Sequence, residues 1–125
     1  MEIPEYISEA LNEFGRATGL QGLRLAENGA ASLSFENGVA LRFEYAFETL
    51  TVLATVPLAG ETSGKLVSAL TAAHPEARHG FKLRVAFLAK SNRLVFAARI
   101  PEREVSRQSL ETVFQELWSL AVNHL

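Results

Sequence analysis

The chain has no cysteine, no apolar run approaching the eighteen residues of a membrane span, and no prevailing sign of charge. Without cysteine there is no thiolate nucleophile, no disulfide and no cysteine-ligated zinc. Twelve basic residues face fourteen acidic ones, for a net charge of -2 and no long runs of either sign. No basic face suited to a phosphate backbone emerges, so neither nucleic acid nor a membrane is an expected partner. The opening residues, MEIPEYISEALNEFG, lack the basic start and apolar run of a signal peptide. A cytoplasmic protein is expected. Hydrophobic residues make up 48% of 125 residues, which excludes wholesale disorder and fits one domain spanning residues 1–125.

What the chain does contain is period. Ile3, Ile7, Ala10, Leu11, Phe14 and Ala17 recur at three- and four-residue spacing, predicting a helix over residues 4–18 with Gly19 as its left-handed stop. From Leu33 to Pro57, three stretches alternate apolar and polar residues, which places one row on a core and the other in water. The first covers about residues 31–36. Asn37-Gly38 then predicts a type I′ turn, because both residues tolerate positive φ. Val39, Leu41, Phe43 and Tyr45 share one face of the second strand. Leu50, Val52, Ala54 and Val56 form the third row, with Leu53 on the opposite face.

Thr62 or Ser63 is a plausible N-cap for a helix reaching about His74. Its apolar residues, Leu66, Val67, Ala69, Leu70, Ala72 and Ala73, cover most of the circumference. Such a helix is buried on two sides; self-association is the expected source of the second side, with full burial within the monomer as the alternative. Phe81, Leu83, Val85 and Phe87 alternate in a fourth strand, and Leu94, Phe96, Ala98 and Ile100 in a fifth. Leu110, Val113, Phe114, Leu117, Trp118 and Ala121 keep the helical period over residues 106–124. The fold class is α+β: a twisted antiparallel sheet of about five strands with three helices, in the order α-β-β-β-α-β-β-α.

Catalytic constellations are missing. His74 and His79 straddle Pro75 and do not share a helix face, and His124 stands apart, so no metal is expected. No G-x-S-x-G surrounds any serine. Gly60-Glu61-Thr62-Ser63-Gly64-Lys65 misses the spacing of a phosphate loop, and Leu66 stands where a hydroxyl would hold magnesium. Glu36, Glu44 and Glu48, with Arg42, read as solvated sheet and turn residues. The chain is read as non-enzymatic and without a cofactor.

In this order of elements the chain resembles the class I chaperones of bacterial type III secretion. The resemblance is strongest from Leu33-Ser34-Phe35-Glu36-Asn37-Gly38 into Leu41-Arg42-Phe43-Glu44. It continues through Leu50-Thr51-Val52-Leu53-Ala54, the apolar helix and Phe81 to Leu88. It implies a homodimer, or in some members a heterodimer, joined through the second helix and nearby strands. It further implies a partner: the N-terminal segment of a secreted effector, held extended and secretion-competent.

The physics of such binding is general. An unpaired sheet edge offers backbone donors and acceptors to an extended peptide, and apolar grooves take its alternate side chains. For the cargo surface the candidates are Phe14, Leu33, Phe35, Phe43 and Leu53. For the dimer surface they are Leu66, Val67, Leu70, Phe81, Leu83 and Val85. Two other classes stay open: a structural adaptor or heterodimeric partner in a secretion assembly, and a small-ligand-binding α+β domain, whose sign would be convergent polar groups in a concave site.

Overall fold

The computed structural model describes residues 2–20, 23–57, 83–88 and 90–124. Five strands form one antiparallel sheet: β1 (Ala30–Ser34), β2 (Ala40–Ala46), β3 (Thr49–Pro57), β4 (Leu83–Leu88) and β5 (Arg93–Pro101), in the spatial order β1-β2-β3-β5-β4. Among the described residues two α-helices, α1 (Glu5–Thr18) and α2 (Arg107–Asn123), lie on one face, and a 3-10 turn at Glu102–Glu104 leads into α2. The helix expected between residues 62 and 74 lies outside the described residues. So do the side chains of Leu66, Val67, Leu70 and Phe81.

The alternating rows become the core. Leu41, Phe43 and Tyr45 of β2, Leu50, Val52, Ala54 and Val56 of β3, and Leu94, Phe96, Ala98 and Ile100 of β5 are all buried. The register sets Phe43 beside Val52 and Val52 beside Ala98, so the rows are contiguous across the strands. Onto them pack Ile7, Ala10, Leu11 and Phe14 of α1 and Leu110, Val113, Leu117 and Ala121 of α2. At roughly 25 cal/mol per Å² of apolar surface removed from water, this layer is the main stabilising term. Val95 is buried on the opposite face, between Thr55 and Ala86.

Local chemistry fixes the ends. Gly19 has φ of 79° and stops α1 as a left-handed cap, its N–H donating to the Gly15 carbonyl. Leu20 N–H reaches that same oxygen at 2.7 Å. A Cβ at Gly15 would lie 2.6 Å from the Leu20 carbonyl oxygen, so this turn closes only over glycine. Ser106 caps α2: its Oγ accepts from Ser109 N–H at 3.1 Å, while Ser109 Oγ accepts from Ser106 N–H at 2.8 Å.

The turn at Asn37-Gly38 is not the type I′ turn expected. Gly38 has φ of 93°, whereas Asn37 is not left-handed. Phe35 N–H donates to Val39 O at 2.9 Å and Gly38 N–H to Phe35 O at 3.0 Å. The loop thus has three residues, with glycine alone in the left-handed position. Asn37 acts through its side chain instead, accepting from Val39 N–H at 3.0 Å. Arg93 pins this loop to the sheet, donating to Gly38 O at 2.7 Å and to Thr55 O and Oγ1 at 3.1 and 2.9 Å.

Candidate functional site

Among the described residues, the two sheet edges and what flanks them are surfaces that can take an extended partner. At the β1 edge, antiparallel geometry aims backbone groups alternately toward and away from the neighbouring strand. Phe35 N–H faces β2, as does Gly29 O, which accepts from Tyr45 N–H at 2.7 Å. Residues 31 and 33 therefore bond to β2, and Ala30, Ser32 and Ser34 aim their N–H and C=O outward. The Ala30 carbonyl is taken by Ala26 N–H at 2.9 Å. Ser32 and Ser34 present the open stretch of edge.

Beside that edge runs a line of aromatic rings. Phe35 and Trp118 meet edge-on with centroids 4.9 Å apart, Trp118 and Phe114 are 5.8 Å apart, and Phe114 reaches Phe14 at 5.5 Å. Phe14 in turn meets Phe43 at 6.1 Å. The line passes from surface to interior: Phe35, Trp118 and Phe114 are half-buried, while Phe14 and Phe43 are fully enclosed. Leu33 sits half-buried on the same face of β1, and its neighbours Ser32 and Ser34 are exposed.

The five cargo candidates are thus not one surface. Leu33 and Phe35 lie together at the β1 edge. Phe14 and Phe43 are core, covered because α1 and α2 close over them. Leu53 pairs with Arg42 and Ala97 on the other face of the sheet. Two residues outside the five cargo candidates, Phe114 and Trp118, complete this edge; the helical period reads both as core, with Trp118 as a peptide-binding anchor the lesser alternative. They share a helical stripe with Leu110 and Leu117, and only their position at the stripe's flank, over the sheet's edge, leaves them partly open.

At the opposite edge, β4 pairs with β5 and presents Leu83, Val85 and Phe87 on the helix-bearing face. Leu83 and Val85 are half-buried, and Phe87 and Leu88 are exposed. Between α1 and the segment that follows it, a cleft of about 630 Å³ is lined by Glu5, Ser8, Glu9, Asn12, Leu23 and Arg24. Its walls mix polar and apolar surface and are open to solvent.

Titration is perturbed at two tyrosines, at the end of the sheet where the 3-10 turn crosses. The Tyr45 hydroxyl donates to a carboxylate oxygen of Glu102. That bond, with burial and the Glu102 charge, pushes its pKa up to about 12. Tyr6 donates to the Glu102 carbonyl at 3.3 Å, and lost hydration with the Glu102 charge raises its pKa as well. Both remain protonated donors, which suits tethering rather than proton transfer. His124 is buried, its Nδ1 2.7 Å from the Leu120 carbonyl. Among the described residues no three His, Asp or Glu side chains form a metal cluster.

The sequence of residues 9–124 matches the model of the Tir chaperone protein (CesT) family. The chain belongs to that family. Membership makes it a chaperone, the class that the resemblance in its strands implied, and the family is not an enzyme family. No curated protein sequence matches it. Among solved structures it is similar to the Yersinia pestis type III secretion chaperone SycH, in complex with a stable fragment of YscM2. That likeness has 18% identity over 95% of this chain and 99% of the other, with a TM-score of 0.73. It is also similar to a chain of the ExoT-SpcS complex of Pseudomonas aeruginosa, at 16% identity over 99% and 100% of the two chains, TM-score 0.68. YbjN of E. coli, a putative transcription regulator, shares the fold at 14% identity, 90% and 83% coverage and a TM-score of 0.56. Fold alone therefore does not separate chaperone from regulator; the family match does. No helix among the described residues is long and apolar enough to cross a membrane.

Proposed function

We propose that this CesT-family chaperone works in the bacterial cytoplasm as one domain. In this reading it holds the N-terminal segment of a type III secreted effector in an extended form, soluble and ready for export. One observation carries the reading: an open β1 edge at Ser32 and Ser34 lies beside a half-buried aromatic line of Phe35, Trp118 and Phe114. An extended segment added to β1 would satisfy the outward backbone groups. Its alternate side chains would cover Leu33 and those rings. The free energy comes from the segment's own burial, less its ordering entropy, so no nucleotide is required.

The working unit is a dimer in this proposal. Leu83 and Val85 of β4, with Leu66, Val67, Leu70 and Phe81 of the preceding segment, form the joint. The helix expected over residues 62–74 supplies its apolar face and completes the three-helix order. Exposed Phe87 and Leu88 on the edge strand support this placement, because an apolar open edge invites pairing with a second strand.

The test is purification of the tagged protein from its native host, with secretion switched on, and mass spectrometry of whatever stays bound. A secreted protein retained through its N-terminal region is the expected result. A clean preparation without such a protein would overturn the proposal.

A further inference from the structure

Phe47, at the tip of the β2–β3 hairpin, is 99% exposed. The loop has two residues, because Ala46 pairs with Thr49. Both residues have left-handed backbone, Phe47 at φ of 51° and Glu48 at 57°. A bulky side chain in that region is a steric outlier, and Asn-Gly is the usual solution. Elsewhere this chain uses that solution: Gly38 takes the left-handed position of the β1–β2 loop, and Asn92 that of the β4–β5 turn. Backbone geometry does not call for phenylalanine at position 47, and a ring this exposed adds nothing to the core. A strained position holding a residue that the fold does not use is a mark of function.

The tip is also braced. Glu102 N–H donates to the Glu48 carbonyl at 2.9 Å, and Thr49 Oγ1 donates to the Phe47 carbonyl at 3.3 Å. β2 and β3 are inner strands, so the hairpin projects from the end of the sheet, clear of the β1 and β4 edges. Its surroundings are aromatic and acidic. Tyr6 is 45% exposed and bonded to the same 3-10 turn, and Glu48 and Glu104 are exposed, with Arg103 as the countercharge in that turn.

We propose that Phe47 anchors a second, folded protein whose surface offers an apolar pocket for a phenyl ring, with lysine or arginine on its rim facing Glu48 and Glu104. This site is separate from the β1 edge, so the folded protein binds while the effector is in place. Rigid presentation lowers the ordering cost of such a contact.

The test places the photo-crosslinking residue p-benzoylphenylalanine at position 47 of the chaperone in its native host. The adduct is identified, and the cross-linked protein is then purified and titrated against the chaperone–effector complex. The expected adduct is a folded protein that is neither the effector nor a second copy of this chain. Its affinity should fall about tenfold or more with Phe47→Asn and also with Glu48→Lys, and should weaken as salt rises from about 50 to 300 mM. The melting temperature of Phe47→Asn should equal or exceed that of the wild type, because asparagine accepts the left-handed turn. Adducts with the effector or a second copy alone, or an affinity insensitive to Phe47→Asn, overturn the proposal. Effector retention, measured on the same samples, reports on the β1 edge independently.

Discussion

Ser34→Pro isolates the backbone contribution of the β1 edge. Ser34 stands opposite Ala40, and its N–H points away from β2, so proline there removes a donor that the β1–β2 ladder does not use. An incoming strand would lose one backbone hydrogen bond, about 1 kcal/mol net. The proline ring would also crowd a strand lying about 4.8 Å away, adding roughly 1–2 kcal/mol. Together these predict an effector affinity weaker by about 30- to 150-fold. Trp118 is the chain's single tryptophan, and its ring lies 4.9 Å from Phe35 at this edge. Its emission should therefore follow titration with the effector's N-terminal segment. Ser34→Ala keeps the N–H and should bind within about twofold of wild type. A folded Ser34→Pro protein that binds the effector at full strength would refute strand addition at β1.

Phe87→Asp places a charge on the exposed part of the β4 edge and should shift the protein from dimer to monomer in analytical ultracentrifugation; an unchanged dimer would remove β4 from the interface. Gly15→Ala drives a methyl group to 2.6 Å from the Leu20 carbonyl oxygen and should cost about 1–3 kcal/mol in urea unfolding, with loss of the α1 cap. Tyr45 gives a pH signature: its folded pKa, about 12, is raised above the ordinary 10.0. Its stabilising share is complete below pH 10 and declines as pH rises toward 12, because the unfolded chain releases that proton first. Tyr45→Phe should flatten the loss of stability in that window, and an unchanged slope would show that the Glu102 bond is not its source.

The strands were legible wherever alternation met a two-layer core. Leu41, Phe43, Leu50, Val52, Phe96 and Ala98 announce their face because a one-residue slip would turn every one of them into water. Turn geometry was less legible. Asn37-Gly38 fits both a two-residue and a three-residue loop, and the bond from Phe35 N–H to Val39 O decides between them. The lack of cysteine is read directly from the composition.

Partner surfaces were another matter. An apolar residue looks the same in sequence whether a helix covers it or not. Phe14 and Phe43 are enclosed because α1 and α2 meet above them, and Leu53 faces the opposite side of the sheet. Phe114 and Trp118, in the same stripe as buried Leu110 and Leu117, stay half open because the stripe overhangs the edge of the sheet. Phe47 is exposed because its neighbours in the chain close a two-residue loop. Period, composition and turn residues determine which side of each element is apolar, since they act within a few residues. Which apolar residues remain available to a partner depends on how the layers overlap, and that is settled by contacts between residues far apart in the chain.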